Sequence, residues 1–120
     1  MRTPRPVNLA EKLASFSDLW SPRTVATFCG FDAMVVKVEG EFVWHAHEDA
    51  DDFFLVLKGE LDVDLPDRSE RVRAGELFVV PKGIRHRTAA RNGVAELLLI
   101  EPTGTPNTGD RATATPRTEI

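Results

Sequence analysis

An all-β fold, either a sandwich or a closed barrel, with one short helix ahead of it is the class this sequence predicts. Two observations carry that expectation. From residue 21 onward the chain breaks into short runs rich in Val, Leu and Phe, side chains that suit a pleated, half-buried surface. Turn-forming residues separate most of these runs, and helical spacing of apolar residues is confined to the segment before them.

The helix comes first. In "NLAEKLASF", Asn8 is placed to cap the first turn, and Glu11, three residues later, to complete a capping box. Leu9, Leu13 and Phe16 recur at helical spacing, and Pro22 in "WSPR" ends the segment because it restricts the residue before it and lacks an amide donor. Strands are expected in "TVATF", "AMVVKVEG", "EFVWHAH", "FFLVLKG", "ELDVDL", "ERVRA", "ELFVVP", "IRHRTAA" and "VAELLLIEP". "LDVDL" alternates, which predicts Leu61, Val63 and Leu65 inward and Asp62 and Asp64 toward water. "FFLVL" is apolar on both faces, as expected of a strand between two sheets or at an oligomer contact. Gly59, Gly75 and Gly83 read as turn residues needing positive φ. After Pro102 the chain is polar and rich in Thr, Gly and Pro, a tail that is either mobile or draped over the barrel. The expected division is a helical arm at 1–20, a barrel at 21–102 and a polar tail at 103–120.

Composition narrows the function classes. A chain of 120 residues makes one domain, and a net charge of −4 argues against a protein built to hold a nucleic-acid backbone. No apolar run approaches the ~20 residues needed to cross a bilayer, and "MRTPRPVNLAEK" lacks the apolar centre of a secretory signal. A single cysteine, Cys29, leaves no internal disulfide and reads as a small buried apolar residue. A cytoplasmic location is expected.

The chemistry gathers around the histidines. The chain holds three, and His45 and His47 lie two apart in a strand-like run, so both point to one face. Asp52 can turn toward the same pocket if it starts the next strand, in which case alternation points Asp51 away. His86 stands alone after "GELFVVPKGI", on the face shared with Ile84 and Thr88. A buried imidazole without partners costs ~1–3 kcal/mol. Three sharing one interior make sense around a cation, and three imidazoles with a carboxylate suit Zn, Fe, Mn, Ni or Cu. The plainer reading, in which each ring separately meets a carbonyl or water, suits a lone histidine better than this pattern.

The residues that follow carry a resemblance. Gly40-"EFVW"-His45-Ala46-His47-"EDAD"-Asp52-"FFLVLK"-Gly59 and Gly75-"ELFVV"-Pro81-Lys82-Gly83-"IR"-His86 resemble the paired motifs of the cupins. The first spacer is one residue short, Asp52 stands where the pattern has Glu, and Ala90 holds the place of a final Asn. The likeness extends over about residues 8 to 110 and is similar to small bacterial cupins labelled mannose-6-phosphate isomerase-like. It implies a cupin-type double-stranded β-helix, a jelly-roll barrel of two antiparallel sheets. It implies a divalent metal held by His45, His47, Asp52 and His86 near the wide mouth. Asp52 is one methylene shorter than Glu, so its carboxylate is expected to fall short by about 1.5 Å, one C–C bond.

The remaining features have plain readings. Phe42 and Trp44 alternate against His45 and are expected to face away from the metal. Arg85, Arg87 and Arg91 read as a solvated strand face rather than a clamp for an anion, and Glu48 and Asp49 as a hydrophilic loop. Two function classes fit these residues. One is a metalloenzyme of dioxygenase, isomerase or lyase type acting on a small oxygenated molecule. The other is a non-catalytic small-ligand or sensor module with a structural metal. A homodimer is expected from the doubly apolar "FFLVL" and from Phe42 and Trp44 facing outward.

Overall fold

A computed structural model describes residues 4–110, 112–115 and 117–120. One helix, α1 (Leu9–Ala14), precedes eight strands: β1 (Arg23–Phe28), β2 (Phe31–Glu41), β3 (Asp52–Lys58), β4 (Glu60–Asp64), β5 (Ser69–Arg73), β6 (Leu77–Val80), β7 (Arg87–Pro102) and β8 (Thr118–Glu119). Asn8 caps α1 as expected, its side chain accepting from the Glu11 amide. No helix among the described residues is long and apolar enough to cross a membrane.

β7 organises the rest. Its first residues pair with β4, and its later ones lie between β2 and β3. The order runs β5-β4-β7-β2-β1-β8, with β3 joined to β7 and β6. The two runs "IRHRTAA" and "VAELLLIEP" are thus one strand. The register shifts where Val38 pairs with Ala95 but Gly40 with Ala90, so that one long strand pairs with β4 at its start and with β2 and β3 further on. Gly59, between β3 and β4, has φ 81° and packs so close to β7 that a Cβ there would lie 2.8 Å from the Val94 carbonyl oxygen.

The interior is filled by Met34, Val36 and Val38 of β2, Phe54 and Val56 of β3, Leu61 and Val63 of β4, and Ala95, Leu97 and Leu99 of β7. A second apolar layer lies outside the sheet. There α1 lays Leu13 on Val25 and Val35, with Leu9, Phe16, Ala33, Leu57 and Leu98 around them. This is why β2 and β3 are apolar on both faces.

Two expectations need correction. Asp62 and Asp64 do not face water: both are buried. Arg71 donates to Asp62 at 2.9 Å, Arg87 and Arg91 donate to Asp64 at 2.8 and 2.6 Å, and Arg91 also reaches Asp62 at 3.1 Å. Alternation set the face correctly, but arginines from β5 and β7 cover it. Cys29 is exposed. With Gly30 it forms the two-residue β1–β2 turn, at φ 50° and 80°, the left-handed pair that a tight hairpin requires.

The arginines make Asp64 a source of stability at neutral pH. Hydrogen bonding from Arg91, joined by Arg87 and Ser69, outweighs burial and holds its carboxyl well below the usual range. A depressed folded pKa contributes stability that is present above about pH 4 and lost as pH falls. Asp64→Asn is therefore expected to cost about 1–3 kcal/mol at pH 7. In urea denaturation the gap from wild type should narrow steadily below pH 4.

Candidate metal centre

His45 and His86 come from distant segments and are fastened by their backbones. Each amide donates to the other's carbonyl, at 2.9 and 2.8 Å, in an isolated antiparallel bridge. The His47 carbonyl accepts from Gly83 at 2.8 Å, which ties the first histidine loop to the Pro81–Gly83 turn. Asp51 points away and accepts from the Lys82 amide at 2.9 Å, leaving Asp52, opposite Val80 at the head of β3, to point inward.

The four expected side chains converge. Ring centroids lie 4.9 Å apart for His45–His47, 4.4 Å for His45–His86 and 5.9 Å for His47–His86. Asp52 Oδ2 lies 2.9 Å from His86 Nε2, 3.2 Å from His47 Nε2 and 3.9 Å from His45 Nε2. The shorter side chain therefore reaches the histidines from its place at the head of β3, paired with Val80 of β6. All four residues are buried.

Tautomers follow from the hydrogen bonds. His45 Nδ1 is 2.9 Å from the Val43 carbonyl and His86 Nδ1 is 2.9 Å from the Ile84 carbonyl. A carbonyl only accepts, so each Nδ1 carries the proton, and in the neutral ring Nε2 presents its lone pair to the cluster. Burial first, then the neighbouring imidazoles, push His45 down to about 4 against the pull of the Val43 carbonyl. Burial also works against a charged His86, but its bonds to Asp52 and Ile84 outweigh it and the pKa rises. Burial alone would raise Asp52; His47 and His86 beside it hold the carboxylate well below its usual range.

These residues fit a metal ion. One donor atom from each of the four lies within 4.8 Å of all the others, so the group could hold one. Ligand atoms bonded at ~2.0–2.2 Å sit roughly 3–3.5 Å apart, close to the Asp52 distances. Among the described residues, His47 Nδ1, His47 Nε2 and Asp52 Oδ1 are the buried side-chain polar atoms without a hydrogen-bond partner. His47 in particular meets Asp52 Oδ2 at 3.2 Å from Nε2 without forming a good hydrogen bond, and its Nδ1 has no partner, the situation a metal resolves.

Other expected features lie elsewhere. Phe42 does not face away: residues 42–44 lie outside the regular strand, so alternation lapses, and Phe42 stacks on Trp20 at 4.8 Å with its ring perpendicular to that of His45. Trp44 does lie outside, beneath Arg85 and Arg87. Arg87 and Arg91 are held by Asp64 and Glu41, and Glu48 and Asp49 stay exposed. Ile84, expected beside His86, is 42% exposed because it belongs to the turn before β7.

The sequence reading missed Glu101. It is buried on the interior face, against Asp52, and bonded to Arg117 at 2.8 Å. Burial and the Asp52 charge push it up to about 8. The signal was present: Ala95, Leu97, Leu99 and Glu101 share one alternation. A cavity of about 50 Å³ adjoins the cluster, lined in part by His45, Asp52, Glu101, Trp20, Phe42 and Asn107. A groove of about 590 Å³ runs between residues 47–50 and 103–110. There the tail packs on the histidine loop so tightly that a Cβ at Gly109 would overlap the Ala46 carbonyl oxygen.

Comparison with known proteins agrees with this architecture. Residues 33–101 match the Cupin domain family, Cupin_2. A cupin-2 domain containing protein from Shewanella frigidimarina superposes with a TM-score of 0.78 at 40% identity, covering 80% of this chain and 93% of that one. Among curated proteins, the uncharacterized protein YdbB of Bacillus subtilis is 46% identical over 50 residues, 41% of this chain and 44% of its own length. The polyketide synthase CurC of Streptomyces cyaneus is 33% identical over 70 residues, 58% of this chain and 46% of its own length. The matches thus span about half the length of these curated relatives.

Proposed function

Because the chain belongs to the cupin domain family, we propose that it is a metal-dependent protein in which His45, His47, Asp52 and His86 hold a divalent ion beside a small-molecule cavity. The ion is drawn from Zn, Fe, Mn, Ni and Cu, and the chemistry is of dioxygenase, isomerase or lyase type on a small oxygenated molecule. The observation that carries the reading is the buried donor set itself: three rings and a carboxylate around one point, with neither His47 nitrogen in a formed hydrogen bond.

The chain's residues have separable roles in this reading. Val43 and Ile84 fix the tautomers of His45 and His86 through their carbonyls. Phe54 packs edge-on near the His86 ring and helps to exclude water. Glu101 places a second carboxyl beside Asp52 at the cavity wall. When bound, the ion supplies Lewis acidity, and iron adds redox chemistry.

The test is metal analysis of the protein as purified, followed by reloading and oxygen-uptake or turnover assays with small enediols and hydroxyketones. Stoichiometric ion and turnover support the reading. A tightly held ion with no turnover on any candidate supports the alternative, a non-catalytic ligand-binding or sensor cupin with a structural metal. Absence of any ion uptake overturns both.

We further propose that it acts in the cytoplasm as a homodimer. Across the outer face, register aligns Ala33, Ile100, Phe53 and Val79 in one row and Val35, Leu98, Leu55 and Leu77 in the next. α1 covers the β2 end, while Val79 and Leu77 remain 43% and 57% exposed. Such an apolar patch beside an edge strand suits a second copy. A monomeric mass by light scattering at micromolar concentration would remove this part of the proposal.

A further inference from the structure

The cavity beside the donor cluster has a definite chemical character. His45 and Asp52 line it, and most of its remaining wall is apolar, including Val38, Phe54 and Leu97. Trp20 and Phe42 form a stacked pair in that wall, their planes 18° apart. The Trp20 indole N–H is already spent on the Glu39 carbonyl at 3.0 Å, and Asn107 Oδ1 accepts from the Thr115 amide at 2.9 Å.

No cationic side chain among the described residues lies where an anionic ligand would need one. Among the described residues, neither the cavity nor the groove outside it is lined by lysine or arginine. The groove instead carries Glu48, Asp49 and Asp110, and the cavity carries Asp52 and Glu101. The guanidinium bonded to the wall residue Glu101, that of Arg117, is shared between Glu101 at 2.8 Å and Asp32 at 2.7 Å. One anionic oxygen can be matched by the ion. A phosphate or a second carboxylate elsewhere on the ligand would be desolvated against an apolar wall beside Asp52, or set against Glu48, Asp49 and Asp110 in the groove.

Resting on the metal reading above, we propose that the ligand has one oxygen-donor end for the ion and an uncharged apolar remainder of a few carbons, and that phosphorylated sugars and dicarboxylates are excluded. Size agrees with composition. At about 50 Å³ the cavity is far smaller than the ~150 Å³ apolar cavity that accepts benzene, so a short chain fits where a whole ring does not.

The experiment uses calorimetry on the full chain loaded with Co²⁺ or Zn²⁺, with metal stoichiometry measured separately. The probes are formo-, aceto-, propiono- and butyrohydroxamic acids, against mannose 6-phosphate and malonate. Each added methylene is expected to tighten binding about three- to four-fold until the cavity is full, from ~0.8 kcal/mol per buried CH₂. Val38→Ala, which enlarges the cavity, should move the best chain length upward by one or two carbons. Mannose 6-phosphate should bind no tighter than inorganic phosphate. A flat or falling series on metal-loaded protein, or tighter binding of mannose 6-phosphate than of the hydroxamates, overturns the inference and leaves the metal reading intact. Failure to take up metal overturns the metal reading and, with it, the ligand's donor end.

Discussion

Alanine at His47 is expected to abolish divalent-ion binding while leaving the metal-free fold nearly as stable as before. The reason is the asymmetry among the three rings. His45 and His86 each hold a backbone carbonyl through Nδ1, so removing either breaks a bond the protein itself uses. His47 makes no well-formed hydrogen bond at either nitrogen, and the polar neighbour of its Nε2 is Asp52 Oδ2 at 3.2 Å. Truncating it removes a poorly satisfied polar group together with some buried ring surface, while Asp52 keeps its closer contact to His86 Nε2 at 2.9 Å. Loss of a direct ligand should exceed the 10–100-fold typical of losing an outer hydrogen-bond partner. Titration with Zn²⁺ against a competing chelator measures this, and urea denaturation of the metal-free protein measures the fold. Asp52→Ala belongs in the same series. Its Oδ2 lies within 3.9 Å of all three Nε2 atoms, so a loss comparable to that of His47→Ala is expected. A His47→Ala protein that still binds the ion within ten-fold of wild type would show that the cluster is not the metal site.

The second large effect is expected from Arg117→Ala, in the segment whose composition reads as a polar tail. Arg117 is partly buried, its side chain 15% exposed, between the carboxyls of Asp32 and Glu101. Nη1 donates to Asp32 at 2.7 Å, Nη2 donates to Glu101 at 2.8 Å, and Nη2 also reaches the Thr105 carbonyl. Asp32 and Glu101 face each other across the β2–β7 ladder, both almost fully buried. Without the guanidinium they become two uncompensated interior carboxyls, with Asp52 against one of them. With Glu101 pushed up to about 8, the pair that carries charge on both sides at pH 7 is Arg117–Asp32, and losing it is expected to cost about 3 kcal/mol, a large part of the roughly 5–15 kcal/mol that holds a domain together. Arg117→Lys should recover only part of it, because a single ammonium cannot serve both carboxylates with the fork's geometry. Chemical denaturation reads the change, and a loss below 1 kcal/mol would mean that the tail contributes nothing to the barrel.

These two residues show where the sequence was legible. His47 was identified by spacing: two residues apart in an extended run means one face, and His86 behind Pro81-Lys82-Gly83 completes a recognisable pair of motifs. Glu101 was within reach of the same rule, as the inward continuation of Ala95, Leu97 and Leu99. Arg117 was not. Nothing within a few residues of it indicates a partner 85 positions away.

From its own pattern the sequence determined an all-β chain, the helix cap at Asn8, the turn glycines, and which residue of each Asp51-Asp52 and His45-His47 neighbourhood points inward. Those are local properties, set by a backbone period of two and by the φ each turn demands. Tertiary structure alone decided that arginines bury Asp62 and Asp64, that Phe42 turns back onto Trp20, that Asp52 reaches the histidines despite its length, and that the tail closes on Gly109 and Arg117. Each of these depends on which distant strand lies alongside. Alternation states the side a residue faces, and only the register across the sheet states what it meets there.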